Sequence, residues 1–480
     1  MGRHGWVVIM GVLGVGGCGD DDPKPGGGGD ADTDTDTDCD TDADTDTGSD
    51  TETGSDTDTG SETETGSDTD TGSDTGTGED LRDLDDTLTW YGDNREVLQT
   101  MIAEFGAESP DFDEALPPVA VFDWDNTVIK NDIGDAVTFY MLRNDLILNP
   151  VGGFAATSKY LTPAAVAALD TACAGLVAEG EPLPTSSDTT CADTILAVYY
   201  DEAIGGVGAY QNWNRRTMEP GYAWTVQLQA GYRPEQIRGI ADDTLAEYIG
   251  ADCYTSALVG SRSMNGYLRV YEQIRDLIGT LQGNGFDVWV LSASSQHIVE
   301  AFAEHVVYGV GIAADHVVGV RAVVGDDGLL TADFQGCGNV ADGANSLITY
   351  VDGKRCWVNQ EIFGLVGDEA MGTQTDVAQR LVFGAGDSNT DVSFLRDAVG
   401  VRLVLNRGKK ELMCNAYGNA DGTWIVNPMW IRPNAVAPNF LCSATACFDV
   451  FGSGIPCVDE NGVPIPDQVD DVVWADDVCE

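Results

Sequence analysis

Apolar positions along this chain gather into short, nearly continuous runs, and three of them stop at a polar residue. Residues 117–124, "PPVAVFDW", are β-branched and aromatic and reach Asp123; "FDVWVLSAS" (286–294) reaches Ser292; "LVFGAGD" (381–387) ends on Asp387. Runs of this kind predict strands buried on both faces. The second run passes directly into the helical spacing of "QHIVEAFAEHV" (296–306), the third leads through a loop into "DVSFL" (391–395), and "VRLVLN" (401–406) reads as another strand. "NREVLQTMIAEF" (94–105), "PAAVAALDTACAGLVAEG" (163–180) and "RPEQIRGIADDTLAEYI" (233–249) carry apolar residues at helical intervals. Strands alternating with helices predict an α/β fold, a doubly wound parallel sheet whose working loops lie at the carboxyl ends of the strands. The first and second runs are separated by a long, mostly helical stretch. The pattern therefore divides the folded part into a first core segment (85–130), a helical cap (131–284), a second core segment (285–435) and a cysteine-rich C-terminal extension (436–480); from about residue 408 to the end no chemistry is recognisable.

Composition changes the picture at the N-terminus. Residues 1–18, "MGRHGWVVIMGVLGVGGC", have a basic start and an apolar run too short to cross a bilayer, the form of an export signal. The ending "VGGC" resembles a bacterial lipobox, in which Cys18 is lipidated; a plain signal peptide with an incidental cysteine is the other reading. Residues 19–84 are a run of Asp, Thr, Gly and Ser, with 23 acids against Lys24 between Asp20 and Asp80, and are expected to be a disordered linker. The expected location is outside the cytoplasm, lipid-anchored on the periplasmic or surface side of a bacterial membrane. A net charge of −56 argues against nucleic acid and anionic membrane surfaces as partners of the domain, leaving membrane contact to the lipid alone. Ten of the 12 cysteines fall at 173–479, an even set that suggests disulfides in an exported protein. Cys173/Cys191, Cys337/Cys356 and the group Cys442, Cys447, Cys457 and Cys479 are near enough in sequence to pair, while zinc would want CxxC spacing, which is absent.

The polar run-ends carry the chemistry. "DWDNT" (123–127), "VWVLSAS" (288–294), "DGKRCW" (352–357) and "GDSNTD" (386–391) resemble, in order, the four motifs of the haloacid dehalogenase superfamily, specifically its phosphoserine phosphatase-like phosphomonoesterases. The resemblance covers about 117–128 and 285–407. It implies a Rossmann-like core with an inserted cap, and Mg²⁺-dependent hydrolysis of a small phosphorylated substrate through an aspartyl phosphate. Asp123 is then the nucleophile and Asp125 the acid/base, an acid that the superfamily's dehalogenases lack. The metal would take Asp123, the carbonyl of Asp125 and Asp387, with Asp391 either in support or orienting Lys354. Ser292 and Lys354 would hold the phosphoryl oxygens. Ser294 or Ser295 could instead cap the following helix, Arg355 adjoins Lys354, and His297 has no part in such a mechanism.

Asn126, where many relatives have Gly or Ser, resembles the exported bacterial phosphorylcholine phosphatases. Asp132 falls where phosphoserine phosphatases place an acid against the substrate amine. That position and the cap aromatics Tyr210, Trp213, Tyr222, Trp224 and Tyr232 fit a cationic head group, phosphoserine or phosphocholine, although aromatics of a helical cap are also ordinary core residues. The competing functions are a non-catalytic surface ligand-binding lipoprotein and a phosphotransferase.

Overall fold

The computed structural model describes residues 81–434, 439–468, 471–475 and 477. The leader with Cys18, and the linker apart from its last four residues, lie outside the described residues. Packing begins by Leu84, which is buried, with the Asp85 N–H donating to Asp276 Oδ2 at 2.8 Å.

Six strands build the central sheet: β1 (Val119–Phe122), β2 (Asp287–Ser295), β3 (Val317–Val320), β4 (Phe383–Gly386), β5 (Val401–Asn406) and β6 (Trp424–Pro428). Their order is β6-β5-β4-β1-β2-β3, and every neighbouring pair is parallel. The expected doubly wound α/β core is present, and the outer strands β3 and β6 extend the sheet beyond the strands read from the sequence. Every residue of β1 and β5 is buried, as strands covered by helices on both faces require. The order reverses at β1, with β2 and β3 on one side and β4 to β6 on the other. A crevice for ligand opens at the carboxyl end of such a switch point.

The spacing-predicted helix α1 (Asn94–Phe105) forms as expected. After β1 the chain enters the cap through a two-residue ribbon, Ile129–Lys130 paired antiparallel with Arg269–Val270. The ribbon closes the base of the insertion, so the helix Glu272–Gly283 is back on the core, packed against β2. The cap holds α2 (Ile133–Arg143), further helices at Thr189–Tyr199, Pro220–Gln227 and Pro234–Tyr248, and a hairpin of Ser256–Val259 with Arg262–Asn265. A second excursion lies beyond β3, where Ala322–Val324 and Leu330–Phe334 form a hairpin. It bonds to the cap through Leu330 N–H to Tyr232 O (2.7 Å) and Gly231 N–H to Leu330 O (2.9 Å). Arg216 of the cap forks between Asp352 and Glu411 of the core. The cap is thus fastened to the core at points besides its ribbon.

Disulfides join Cys173–Cys191, Cys337–Cys356, Cys414–Cys442 and Cys447–Cys457. Cys442 leaves the tail group for Cys414 on the helix Lys410–Gly418. Among the described residues no helix is long and apolar enough to cross a membrane.

Candidate active site

The turn after β1 explains why two acids stand two positions apart. The carbonyl of Trp124 accepts from the N–H groups of Thr127, Val128 and Ile129, folding the chain sharply. Trp124 goes into the core, fully buried and edge-on to Phe302 at 5.2 Å, while its two acidic neighbours face the crevice. Asn126 sits at φ 60°, in the left-handed region that Asn tolerates better than most residues. It clasps Asn131 at the mouth of the ribbon, its Oδ1 accepting from Asn131 N–H at 3.1 Å. Its place in the motif is accounted for by the backbone.

Asp123 and Asp387 come from neighbouring parallel strands and are bridged by the buried Thr127, whose Oγ1 lies 2.9 Å from Asp123 Oδ2 and 3.1 Å from Asp387 Oδ1. Asp391 follows in the loop after β4, its Oδ2 accepting from the N–H groups of Asp387 and Ser388, both at 3.0 Å. Gly386 permits this approach, since a Cβ there would stand 2.6 Å from Asp391. Lys354, fully buried on α4 (Asp352–Trp357), donates to Asp123 Oδ1 and Asp391 Oδ1, both at 2.5 Å. Burial alone would lower its pKa, but the two carboxylates outweigh that and hold the ammonium above its ordinary range. The preceding Gly353 is required because a Cβ would meet the Ile348 carbonyl at 1.9 Å. Arg355 turns away to Asp397 and the Ser393 carbonyl, so Lys354 is the cation of this segment that serves the cluster.

Asp125 lies against the start of α2. Its Oδ1 accepts from Ile133 N–H at 2.7 Å; its Oδ2 accepts from Ser294 at 2.8 Å and Ser292 at 3.3 Å. Residues two apart on a strand share a face, so both serines of β2 reach the same carboxylate. Ser294 lines the cavity, whereas Ser292 is fully buried behind it and accepts from Ser294 N–H at 3.0 Å. Burial, then the nearby Asp132 and Asp123 charges, push the Asp125 pKa well above the usual carboxylate range. Ser295 bonds Gln229, and His297 pairs with Glu300 on α3 (Gln296–Ala303), both away from the cluster.

Asp132 caps α2, its Oδ1 accepting from Asp135 N–H at 2.9 Å, and also lines the cavity. The cavity measures about 540 Å³ and brings together Asp123, Asp125, Asp132, Asp135, Glu202, Asp387 and the tyrosines Tyr199, Tyr200, Tyr222, Tyr254 and Tyr267. Of the cap aromatics singled out by sequence, Tyr222 alone is in this wall. Trp224 is core, donating to Thr157; Tyr210 is buried; Tyr232 donates to the Leu146 carbonyl; and Trp213 stacks with Arg215. Arg407, the residue after β5, and Arg432 also line the cavity. The latter lies in the segment after residue 408 that looked chemically silent.

Glu202 has a buried carboxylic neighbour, Glu219, whose Oε1 has no hydrogen-bond partner among the described residues. Burial first, then Glu202, raise the Glu219 pKa well above its ordinary value. The native state therefore keeps a proton that the unfolded chain releases, and stability falls as pH rises from the ordinary glutamate value toward the raised one. Glu219→Gln is expected to flatten that limb by up to about 1.4 kcal/mol per pH unit, read from urea unfolding of both proteins across the range. An unchanged difference from pH 4 to 8 would show that Glu219 does not titrate there.

Among the described residues, Asp123, Asp387 and Asp391 each offer a carboxylate oxygen within 4.8 Å of the others. Three hard oxygen donors at that spacing suit Mg²⁺. Asp123, Asp387 and Asp391 face the cations Lys354 and Arg407. Three carboxylates against two cations leave room for the added positive charge of a divalent ion, so the residues present fit the metal.

No family model matches the chain. A stretch of 105 residues is 27% identical to the phosphorylcholine phosphatase of Pseudomonas aeruginosa, covering 22% of this chain and 30% of that protein. The chain thus aligns with less than a third of that relative's length. Among solved structures it is similar to a conserved protein of unknown function from Anaerococcus prevotii, at TM-score 0.46 and 17% identity over 72% of this chain and 94% of the other. It is similar also to a substrate-bound phosphoserine phosphatase, at TM-score 0.28 and 16% identity over 60% and 85% of the two chains.

Proposed function

We propose that the protein is a Mg²⁺-dependent phosphomonoesterase working through an aspartyl phosphate, on a small ester with a cationic head group. The observation that carries this reading is the convergence of Asp123, Asp125, Lys354, Asp387 and Asp391 at the carboxyl edge of one parallel sheet. In the first half-reaction Asp123 attacks phosphorus. An O–P bond forms, the ester O–P bond breaks, and Asp125 gives its proton to the departing alkoxide. In the second, Asp125 takes a proton from water, the water oxygen bonds phosphorus, and the Asp123–phosphorus bond breaks to release phosphate. The raised pKa of Asp125 suits the protonated form that the first half requires. Lys354 aims Asp123 through its hydrogen bond to Oδ1, and Ser292 and Ser294 fix Asp125. Bound at Asp123, Asp387 and Asp391, Mg²⁺ would supply charge neutralisation on the phosphoryl group.

The acids Asp132, Asp135 and Glu202 beside Tyr199, Tyr200 and Tyr222 support a cationic head group, phosphocholine or phosphoserine. Disulfides such as Cys173–Cys191 and Cys414–Cys442 support an oxidising compartment outside the cytoplasm, with Cys18 as the lipid anchor and the acidic linker ahead of the packed Leu84 as the tether. Phosphate release by residues 81–480 from phosphocholine, phosphoserine, phosphoethanolamine and an aryl phosphate, with Mg²⁺ or with EDTA, tests the reaction. Metal-dependent release is expected; none from any of the four would favour a ligand-binding protein.

Asp132→Asn keeps an oxygen to cap α2 while removing the charge. It is expected to raise KM for the cationic esters by about tenfold, the worth of one charge-assisted contact, and to leave the aryl phosphate within about twofold. Equal effects on both classes would remove Asp132 from head-group recognition.

A further inference from the structure

Arg407 occupies a position that the four motifs do not account for. It follows β5, the strand next to β4, and its Nη1 donates to Asp387 Oδ2 at 2.5 Å. Asp387 is 1% exposed and the arginine is largely buried, yet Arg407 also lines the cavity next to Asp123. The other cations of that wall are differently placed. Arg262 forks onto Asp201 at 2.7 and 3.0 Å. Arg432 stacks 4.6 Å over the Tyr254 ring, and Lys130 is buried with its Nζ 4.0 Å from Met429 Sδ. Lys354 holds two carboxylates and lies outside the cavity lining. Among the described residues, Arg407 is therefore the cavity-lining cation that an anion bound at Asp123 would meet beside the acidic cluster.

We propose that Arg407 couples cation binding to phosphate binding: the divalent ion takes Asp387 from Arg407, and the released guanidinium holds the phosphoryl oxygens. The proposal rests on the phosphatase reading for its ligand and on the Asp387 pairing for its physics. A metal bound to Asp387 competes with an ion pair already made there, so the pair weakens metal binding when no anion is present. A phosphoryl group offers the displaced guanidinium an anion in place of Asp387, and the planar fork matches two phosphoryl oxygens. Each ligand then tightens the other by the same factor, because coupling between two binding equilibria is reciprocal. The arginine also keeps the metal-free acids from facing one another without compensation, which a lone cluster of buried carboxylates could not sustain.

The test is calorimetric titration of wild type and Arg407→Ala with MgCl₂ alone, and again in saturating inorganic phosphate. In wild type, phosphate is expected to tighten Mg²⁺ by about tenfold, the scale of one charge-assisted hydrogen bond. In Arg407→Ala, Mg²⁺ alone should bind about tenfold tighter than in wild type, and phosphate should no longer improve it. Mg²⁺ affinity unchanged or weakened by the substitution, or enhancement by phosphate that survives it, would overturn the proposal. Should Arg407→Ala fail to fold, Arg407→Lys, which keeps the charge and loses the fork, is read by the same two criteria with smaller shifts. The titrations involve no turnover. A protein that hydrolyses esters but fails here loses only the role of Arg407, whereas one that passes here but hydrolyses nothing loses the reaction.

Discussion

Asp123→Asn is expected to stop phosphate release, lowering kcat by at least about a thousandfold, since the covalent intermediate forms on Asp123. The change is nearly isosteric, and an amide oxygen still accepts from Lys354 at the position of Asp123 Oδ1. Circular dichroism and the urea midpoint should therefore remain close to wild type, which separates loss of chemistry from loss of fold. Activity within about tenfold of wild type would refute the nucleophile. The same result would move attention to Asp125, the acid whose environment at Ile133, Ser292 and Ser294 instead fits proton transfer.

Lys354→Met is expected to have the largest effect on stability. Lys354 fills a fully buried position and is bonded to two carboxylates, one of which, Asp391, is itself fully buried. Removing one partner of a buried ion pair leaves uncompensated charge and costs about 3–5 kcal/mol. Urea unfolding in EDTA at neutral pH reads this loss directly. Two conditions should reduce it. Mg²⁺ supplies replacement charge, and lowering the pH protonates Asp387 and Asp391, whose pKa values burial and their neighbours raise. A loss below about 1 kcal/mol in EDTA would mean that the cluster is not held together by this ammonium.

The parts of the fold and site that could be read from the sequence share a cause. A buried parallel strand must be an apolar run, and a polar residue at its carboxyl end stands out against it; Asp123 and Asp387 were visible for that reason. Arg407 follows β5 as Asp123 follows β1 and Asp387 follows β4, and could have been found by the same rule, but no motif drew attention to it. Lys354 was legible through Gly353, whose missing side chain lets α4 start against Ile348. Ser294 was weighed as a helix cap, although its two-residue spacing from Ser292 places both on one face of β2. The cavity tyrosines were obscure for a different reason. Tyr199 and Tyr200 end one helix, Tyr222 sits on another, and Tyr254 and Tyr267 flank a hairpin. No sequence interval relates them; tertiary packing alone brings them together, while Trp224 and Tyr210, equally aromatic, fill the core. The pairing of Cys442 with Cys414, ahead of the tail, was hidden for the same reason.

Trapping the intermediate tests the central claim most directly. Wild-type protein turning over an aryl phosphate with Mg²⁺ is quenched with borohydride, which reduces an acyl phosphate to the alcohol, and the peptides are mapped by mass spectrometry. Conversion of Asp123 to homoserine, absent without substrate and absent in Asp123→Asn, is the expected result. Turnover that proceeds with Asp123 unmodified, or with the label on another carboxylate, would contradict the assignment of Asp123 as the nucleophile.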